Sequence, residues 1–218
     1  MNAIILACTS LEEFIEQAQR NAGTNYPIWR LDKSFHRDPK LMRQQILKAL
    51  AEIPEEYDTI LVAMGYCGGS WEDVPAERKI VIPRVDDCIS VLMTVDDMYI
   101  PNRKSEGSLY IKDENPASIS FRSIFENYTR DMDPEAADEI HQSWKNTYSG
   151  MKVIDTGLYE CHTENYMKSV YDDADWLEAG VEYVPGGVLL LEKLVSGKWD
   201  EQFAVIEPGE KITSKRYF

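Results

Sequence analysis

Short unbroken apolar runs, each followed by a stretch of helical periodicity, constrain this chain more than any other feature. Ala3-Ile4-Ile5-Leu6-Ala7 and Thr59-Ile60-Leu61-Val62-Ala63-Met64 leave almost no polar side for solvent. Such runs read as strands covered on both faces, the environment of a parallel sheet. Ser10 with Glu13 has the spacing of a capping box, opening a helix with Leu11, Phe14, Ile15 and Ala18 on one face. Tyr26 to Leu31 supplies a second strand. Asp38-Pro39 reads as N-cap and first helical residue, Met42, Ile46, Ala49 and Ile53 continue at helical spacing, and Pro54 stops the helix. Lys79 to Ile82 is a further strand, with a short helix expected from Asp86 to Met93.

From Asp96 to Ser118 the periodicity lapses into a long connection with one strand, Leu109-Tyr110-Ile111, and residues 119–147 read as helical, with Asp133-Pro134 opening a second helix. Alternation then resumes. Strands at Met151–Ile154, Val181–Val184 and Phe203–Ile206 separate helices marked by Tyr166, Val170, Ala174 and Leu177 and by Leu190–Val195. The pattern predicts a three-layer α/β fold: a mostly parallel sheet with helices on both faces. Lys79–Pro83 and Val181–Pro185 echo one another, which leaves open two Rossmann-like half-sheets or a chance likeness. One α/β domain over 1–218 is expected, with halves 1–95 and 150–218 joined by the mainly helical 96–149.

Composition narrows the function. Lys plus Arg number 23 against 38 Asp plus Glu, a formal charge of −15. So acidic a chain argues against nucleic acid and against anionic membrane surfaces as partners. The Ala3–Cys8 run is too short to span a bilayer and lacks the basic flank of a signal peptide. Four cysteines without an export signal point to a reducing, cytoplasmic setting.

The metal-type residues fall at strand ends. Cys8 closes the first strand, His36 follows the second, Cys67 sits in the glycine-rich turn after the third, and Cys88 follows the fourth, at intervals of 28, 31 and 21 residues. Each interval approximates one βα unit. In a parallel sheet the loops after the strands open at one edge, where such folds bind ligands. Taken singly, each cysteine reads as a core residue. Taken together, Cys8, His36, Cys67 and Cys88 read as a shared site for zinc or an iron–sulfur cluster, because thiolate and imidazole suit those metals. No paired Cys-x-x-Cys knuckle is present, so a functional site with an open position is expected rather than a structural one.

Gly65-Tyr66-Cys67-Gly68-Gly69 lets the backbone approach closely and aim N–H groups at one spot, making Cys67 the leading candidate and Gly68 and Gly69 substrate-binding candidates. Arg84 is placed with them as a clamp for carboxylate or phosphate, or else in an ion pair with Asp86 or Asp87. Tyr159 is a further substrate-binding candidate. Cys161 and His162 either complete the site or belong to an ordinary helix start, and His141 reads as a helix-face residue.

Cys8, Phe35-His36-Arg37-Asp38-Pro39, Gly65-Tyr66-Cys67-Gly68 and Pro83-Arg84-Val85-Asp86-Asp87-Cys88 together resemble a domain-of-unknown-function family of anaerobic archaea and bacteria, often encoded beside corrinoid-dependent methyltransferases. The ending, Gly197-Lys198-Trp199-Asp200 through Pro208-Gly209, is similar too. Phe35 stands where Leu is common in that family, and Met64-Gly65-Tyr66 shifts the usual turn. The resemblance implies a metal or corrinoid context and supplies no reaction. Three functions follow as expectations. One is a metal-binding protein of anaerobic one-carbon or corrinoid-linked methyl transfer, acting on a small molecule or with a corrinoid protein. The second is a metal-free racemase or isomerase using Cys67 and Cys161. The third is a non-catalytic partner of a corrinoid methyltransferase system, with Trp71, Trp144 and Trp199 as exposed anchors or as core residues.

Overall fold

The computed structural model describes residues 2–115 and 120–216, without the side chain of Arg37. Residues 116–119, where the expected long connection ends and the expected helical stretch begins, lie outside the described residues. The chain forms two compact units: one runs to Arg103 and resumes at Gly187, the other is Lys104–Gly186.

The first unit contains β1 (Ala3–Cys8), α1 (Glu12–Ala22), β2 (Ile28–Leu31), α2 (Pro39–Glu52), β3 (Thr59–Ala63), β4 (Lys79–Pro83) and α3 (Cys88–Met93). The second contains β5 (Ser108–Ile111), α4 (Phe121–Thr129), α5 (Pro134–Thr147), β6 (Gly150–Asp155), α6 (Glu164–Leu177) and β7 (Gly180–Pro185). The chain then returns to the first unit with α7 (Leu189–Ser196) and β8 (Phe203–Ile206). The fold class is the expected one, α/β with mostly parallel sheets flanked by helices.

In the first unit the strand order is β2-β1-β3-β4-β8. The first four strands are parallel, and β8 runs antiparallel to β4 through Ile80 to Pro83. Every residue of β1 and β3 is buried, as their unbroken apolar sequences require. Right-handed crossovers explain why both faces are covered. The chain steps from β1 outward to β2 and then back across to β3, so α1 and α2 must lie on opposite faces. Helix α7 packs with α1. Strands are added to one side of β1 and then to the other, and this reversal of winding between β1 and β3 creates a topological switch point, where open α/β sheets form a crevice at their carboxyl ends.

Helix starts are set by local chemistry. Asp38 caps α2 by accepting from the N–H groups of Lys40 and Leu41, with Pro39 next to it, as expected. The capping box expected at Ser10 and Glu13 does not form. Residues Thr9–Leu11 make a 3-10 turn, Leu11 occupies the N-cap of α1, and the Ser10 N–H goes to Cys8 Sγ at 3.4 Å. Helix α3 starts two residues later than expected because Asp87 caps it, accepting from Ser90 N at 3.0 Å.

The same helix holds the two first-unit residues that flank the inserted segment. Arg103 N donates to Ser90 Oγ at 3.3 Å, and Gly187 N donates to Leu92 O at 2.8 Å. Among the tryptophans, Trp71 is fully buried in the first unit and Trp199 is half-buried, its Nε1 donating to Leu194 O.

The second unit is a parallel sheet of order β5-β6-β7. Its core joins Ile111, Met151 and Val153 to Tyr166, Val170, Ala174 and Leu177, the i, i+4 stripe of α6. Trp144 packs against this core, and His141 stacks on Trp176 at 4.2 Å. A buried carboxylate organises the start of α4: Asp173 accepts from Ser120 Oγ and Phe121 N, both at 2.7 Å.

Candidate metal centre

Three strand ends of the first unit deliver soft donors to one place. Cys8 is the last residue of β1 and fully buried. His36 lies in the 3-10 turn Lys33–Arg37 after β2, a turn started by Asp32, which accepts from Ser34 N. Cys88 is the first residue of α3, after β4. Cys8 Sγ and His36 Nε2 are 3.0 Å apart, and one ligand atom from each of Cys8, His36 and Cys88 lies within 4.8 Å of the others. The imidazole is on the exposed side and the two sulfurs lie beneath it.

Cys67 is held beside this group by the turn after β3. Its thiol hydrogen-bonds with that of Cys88, which also contacts Cys8. The turn is unusual: Cys67, Gly68 and Gly69 all have positive φ, at 48°, 65° and 87°. Only glycine adopts such values freely, so the cysteine's own conformation is imposed by its surroundings. Two hydrogen bonds impose it. Tyr66 N donates to Val85 O at 2.9 Å and Cys67 N to Asp86 O at 2.6 Å, stitching the turn to the loop before α3. Gly65 makes the stitching possible, since a Cβ there would stand 2.5 Å from Asp87 Cα. Gly68 faces the start of α2, where a Cβ would come 3.1 Å from the Pro39 ring.

Both deep thiols resist ionisation. The hydrogen bond with Cys88 and burial push Cys8 up to about 12, against the opposing pull of His36. Cys88 is pushed up as well, first by its hydrogen bond with Cys67. Without a positive charge nearby the pair stays protonated, and a bound cation is the strongest agent that could ionise it. Ser10 adds a hydroxyl 3.0 Å from Cys8 Sγ. Ser10 is expected from the sequence to cap a helix. Its placement two residues beyond a strand-end cysteine is the signal that it serves the thiol instead.

Other expected site residues have hydrogen-bond partners within their own units. Arg84 donates to Arg216 O at 2.7 Å and to Glu201 O at 2.8 Å, and its guanidinium lies 3.9 Å from the Tyr99 ring centroid. It ties down the end of the chain. Tyr159 belongs to the second unit, where its hydroxyl donates to Ile154 O at 2.5 Å. Cys161 and His162 are also in the second unit, in the loop before α6. No helix among the described residues is long and apolar enough to cross a membrane.

Residues 30–195 match the family model described as protein of unknown function (DUF1638). No curated protein and no solved structure matches the chain.

Proposed function

The chain belongs to the DUF1638 family, and we propose that its first unit is a metal centre holding a single zinc-type ion on Cys8, His36 and Cys88, with Cys67 in reserve beside them. The observation that carries this reading is the convergence of three donors, each from a different strand end, within 4.8 Å. A tetrahedral zinc ion sets a thiolate and an imidazole about 3.5 Å apart. The Cys8–His36 pair, at 3.0 Å, therefore needs to open by roughly half an ångström. Donors on different irons of an iron–sulfur cluster stand further apart than donors on one ion, so this spacing favours zinc over a cluster.

Zinc bound by two thiolates and one imidazole supplies Lewis acidity at one remaining position, where a substrate thiol or water ionises near neutral pH. The chain's own residues do the rest. Gly68 and Gly69 supply the positive φ that the turn carrying Cys67 requires, and the Ser10 hydroxyl hydrogen-bonds to the Cys8 sulfur. The sequence resemblance to a family found beside corrinoid methyltransferases supports a finer assignment, methyl transfer to a small thiol. Such a reaction would move a methyl group from a methylcorrinoid substrate to the thiol sulfur, the thiol proton passing to solvent and the corrinoid leaving with the bonding electron pair.

Full-length protein purified without oxygen and titrated with zinc against a chromophoric chelator tests the centre. The unaltered chain should bind one more equivalent than the Cys8→Ser/Cys88→Ser double variant. Equal stoichiometry in the two proteins would remove the centre. For the finer assignment, methylcobalamin demethylation by a small thiol should be accelerated by the unaltered protein and not by the double variant.

A further inference from the structure

The second unit gathers another set of metal-type side chains, and it does so independently of the first. Asp155 ends β6 and presents both carboxylate oxygens to the loop that follows. Oδ1 accepts from Gly157 N at 3.1 Å, and Oδ2 lies 2.8 Å from His162 Nε2. Cys161 is 1% exposed, and its thiol hydrogen-bonds to the same carboxylate. One ligand atom from each of Asp155, Cys161 and His162 falls within 4.8 Å of the others.

The loop is held by contacts that would orient ligands. Tyr183 on β7 serves two consecutive residues at once: its hydroxyl donates to Cys161 O at 3.0 Å, and its ring stacks on His162 at 4.6 Å. Cys161 N donates to Tyr159 O at 3.0 Å. Supports of this kind fix ring orientation and ligand aim in metal sites. The sulfur lies at the base, while the His162 and Asp155 side chains remain 59% and 39% exposed. The same loop, through Gly157–Glu160 and Thr163, lines a cleft of about 660 Å³.

Carboxylate oxygen, imidazole nitrogen and thiolate sulfur on one ion are a borderline donor set. It excludes calcium and magnesium, which take oxygen alone, and suits zinc or cobalt(II). Three protein donors and an exposed side leave a fourth position for an external ligand. We propose that the second unit carries its own site for one zinc-class divalent ion, held by Asp155, Cys161 and His162 and open to solvent. Tetrahedral coordination would widen the Asp155–His162 contact from 2.8 Å to about 3.3 Å.

Cobalt(II) is the probe, because thiolate ligation gives it a near-ultraviolet charge-transfer band. The full-length Cys8→Ser/Cys88→Ser variant, kept anaerobic, should still bind one equivalent with that band. Adding Cys161→Ser should abolish the band, and adding His162→Ala should weaken binding at least tenfold. No thiolate band in the double variant, or a band that survives Cys161→Ser, would show a salt-bridged histidine over a core cysteine and nothing more. Should the double variant fail to fold, the unaltered chain is compared with Cys161→Ser/His162→Ala. A difference of one cobalt equivalent supports the site, and no difference overturns it. If instead the first-unit centre is absent, the unaltered chain and Cys8→Ser/Cys88→Ser bind the same single equivalent, and Cys161→Ser/His162→Ala binds none.

Discussion

Replacing Gly65 by alanine isolates the contact on which the Cys67 turn depends. Gly65 does not have positive φ, so its role is one of space alone. The added Cβ would meet Asp87 Cα, N and C at 2.5, 2.6 and 2.7 Å. Comfortable carbon contacts begin near ~3.5 Å, so the turn after β3 and the loop before α3 must part by roughly 1 Å. Overpacking of this kind costs about 1–3 kcal/mol. Parting also strains the Tyr66–Val85 and Cys67–Asp86 hydrogen bonds, each worth about 1 kcal/mol. A total near ~3 kcal/mol follows, roughly a hundredfold in the folding equilibrium. The control is Gly23→Ala, at φ +67° with no atom within 4 Å of the added group. It pays only the left-handed backbone cost of ~1 kcal/mol. Urea denaturation of both variants, followed by zinc titration of folded Gly65→Ala, makes the comparison. Gly65→Ala should be the less stable by about 2 kcal/mol and should bind first-unit zinc more weakly. Equal stabilities for the two variants would refute the steric reasoning.

Asp173→Ala should lower stability by about 2–3 kcal/mol, because a charged acceptor for Ser120 and Phe121 is lost, and hydrogen exchange should show lost protection at Phe121 and Arg122. Arg84→Met should reduce stability by about 1–2 kcal/mol through the freed carbonyls of Glu201 and Arg216, yet leave zinc affinity within about twofold; a large loss of affinity would return Arg84 to the site. Lys193 is pulled down by burial, but the hydrogen bonds it donates to Asp200 and Asp97, with the charges of those carboxylates, together outweigh this and hold it above its ordinary 10.5. Burial raises Asp200, and the hydrogen bond from Lys193, the backbone N–H of Gln202 and the lysine's charge together outweigh it, leaving the carboxyl below its ordinary 3.8. The raised lysine contributes stability that is fully present below pH 10.5 and lost as pH climbs beyond it, while the lowered aspartate contributes above pH 3.8 and is lost in stronger acid. Denaturation across pH should therefore show Lys193→Met destabilised at pH 7, with the gap narrowing above about pH 10.5.

Strand positions were legible because their signal is local. Ala3–Cys8 is apolar throughout and Thr59–Ala63 is apolar after its first residue, the pattern of strands covered on both faces. The gathering of Cys8, His36 and Cys88 was legible for the same reason: each follows a different strand, and parallel topology sends those ends to one edge. The donors are brought together, with Cys67 linked through Cys88 rather than within single-ion reach of all three. Helix starts were less readable, because Ser10 had two competing uses and the buried sulfur next to it took its N–H. The use of Arg84 was hidden altogether. Its partners are main-chain carbonyls more than a hundred residues away in sequence, and carbonyls carry no residue signature. Asp155 went unnoticed because a carboxylate at a strand end is common, and only the fold shows Cys161 and His162 curling back over it.

The segment Lys104–Gly186 departs from and returns to a single six-residue helix, tethered at Ser90 and Leu92. Its two attachment points are thus neighbours, the geometry of a cassette spliced into a host. A short glycine tether joining Arg103 to Gly187 should leave the remaining chain able to close its own sheet.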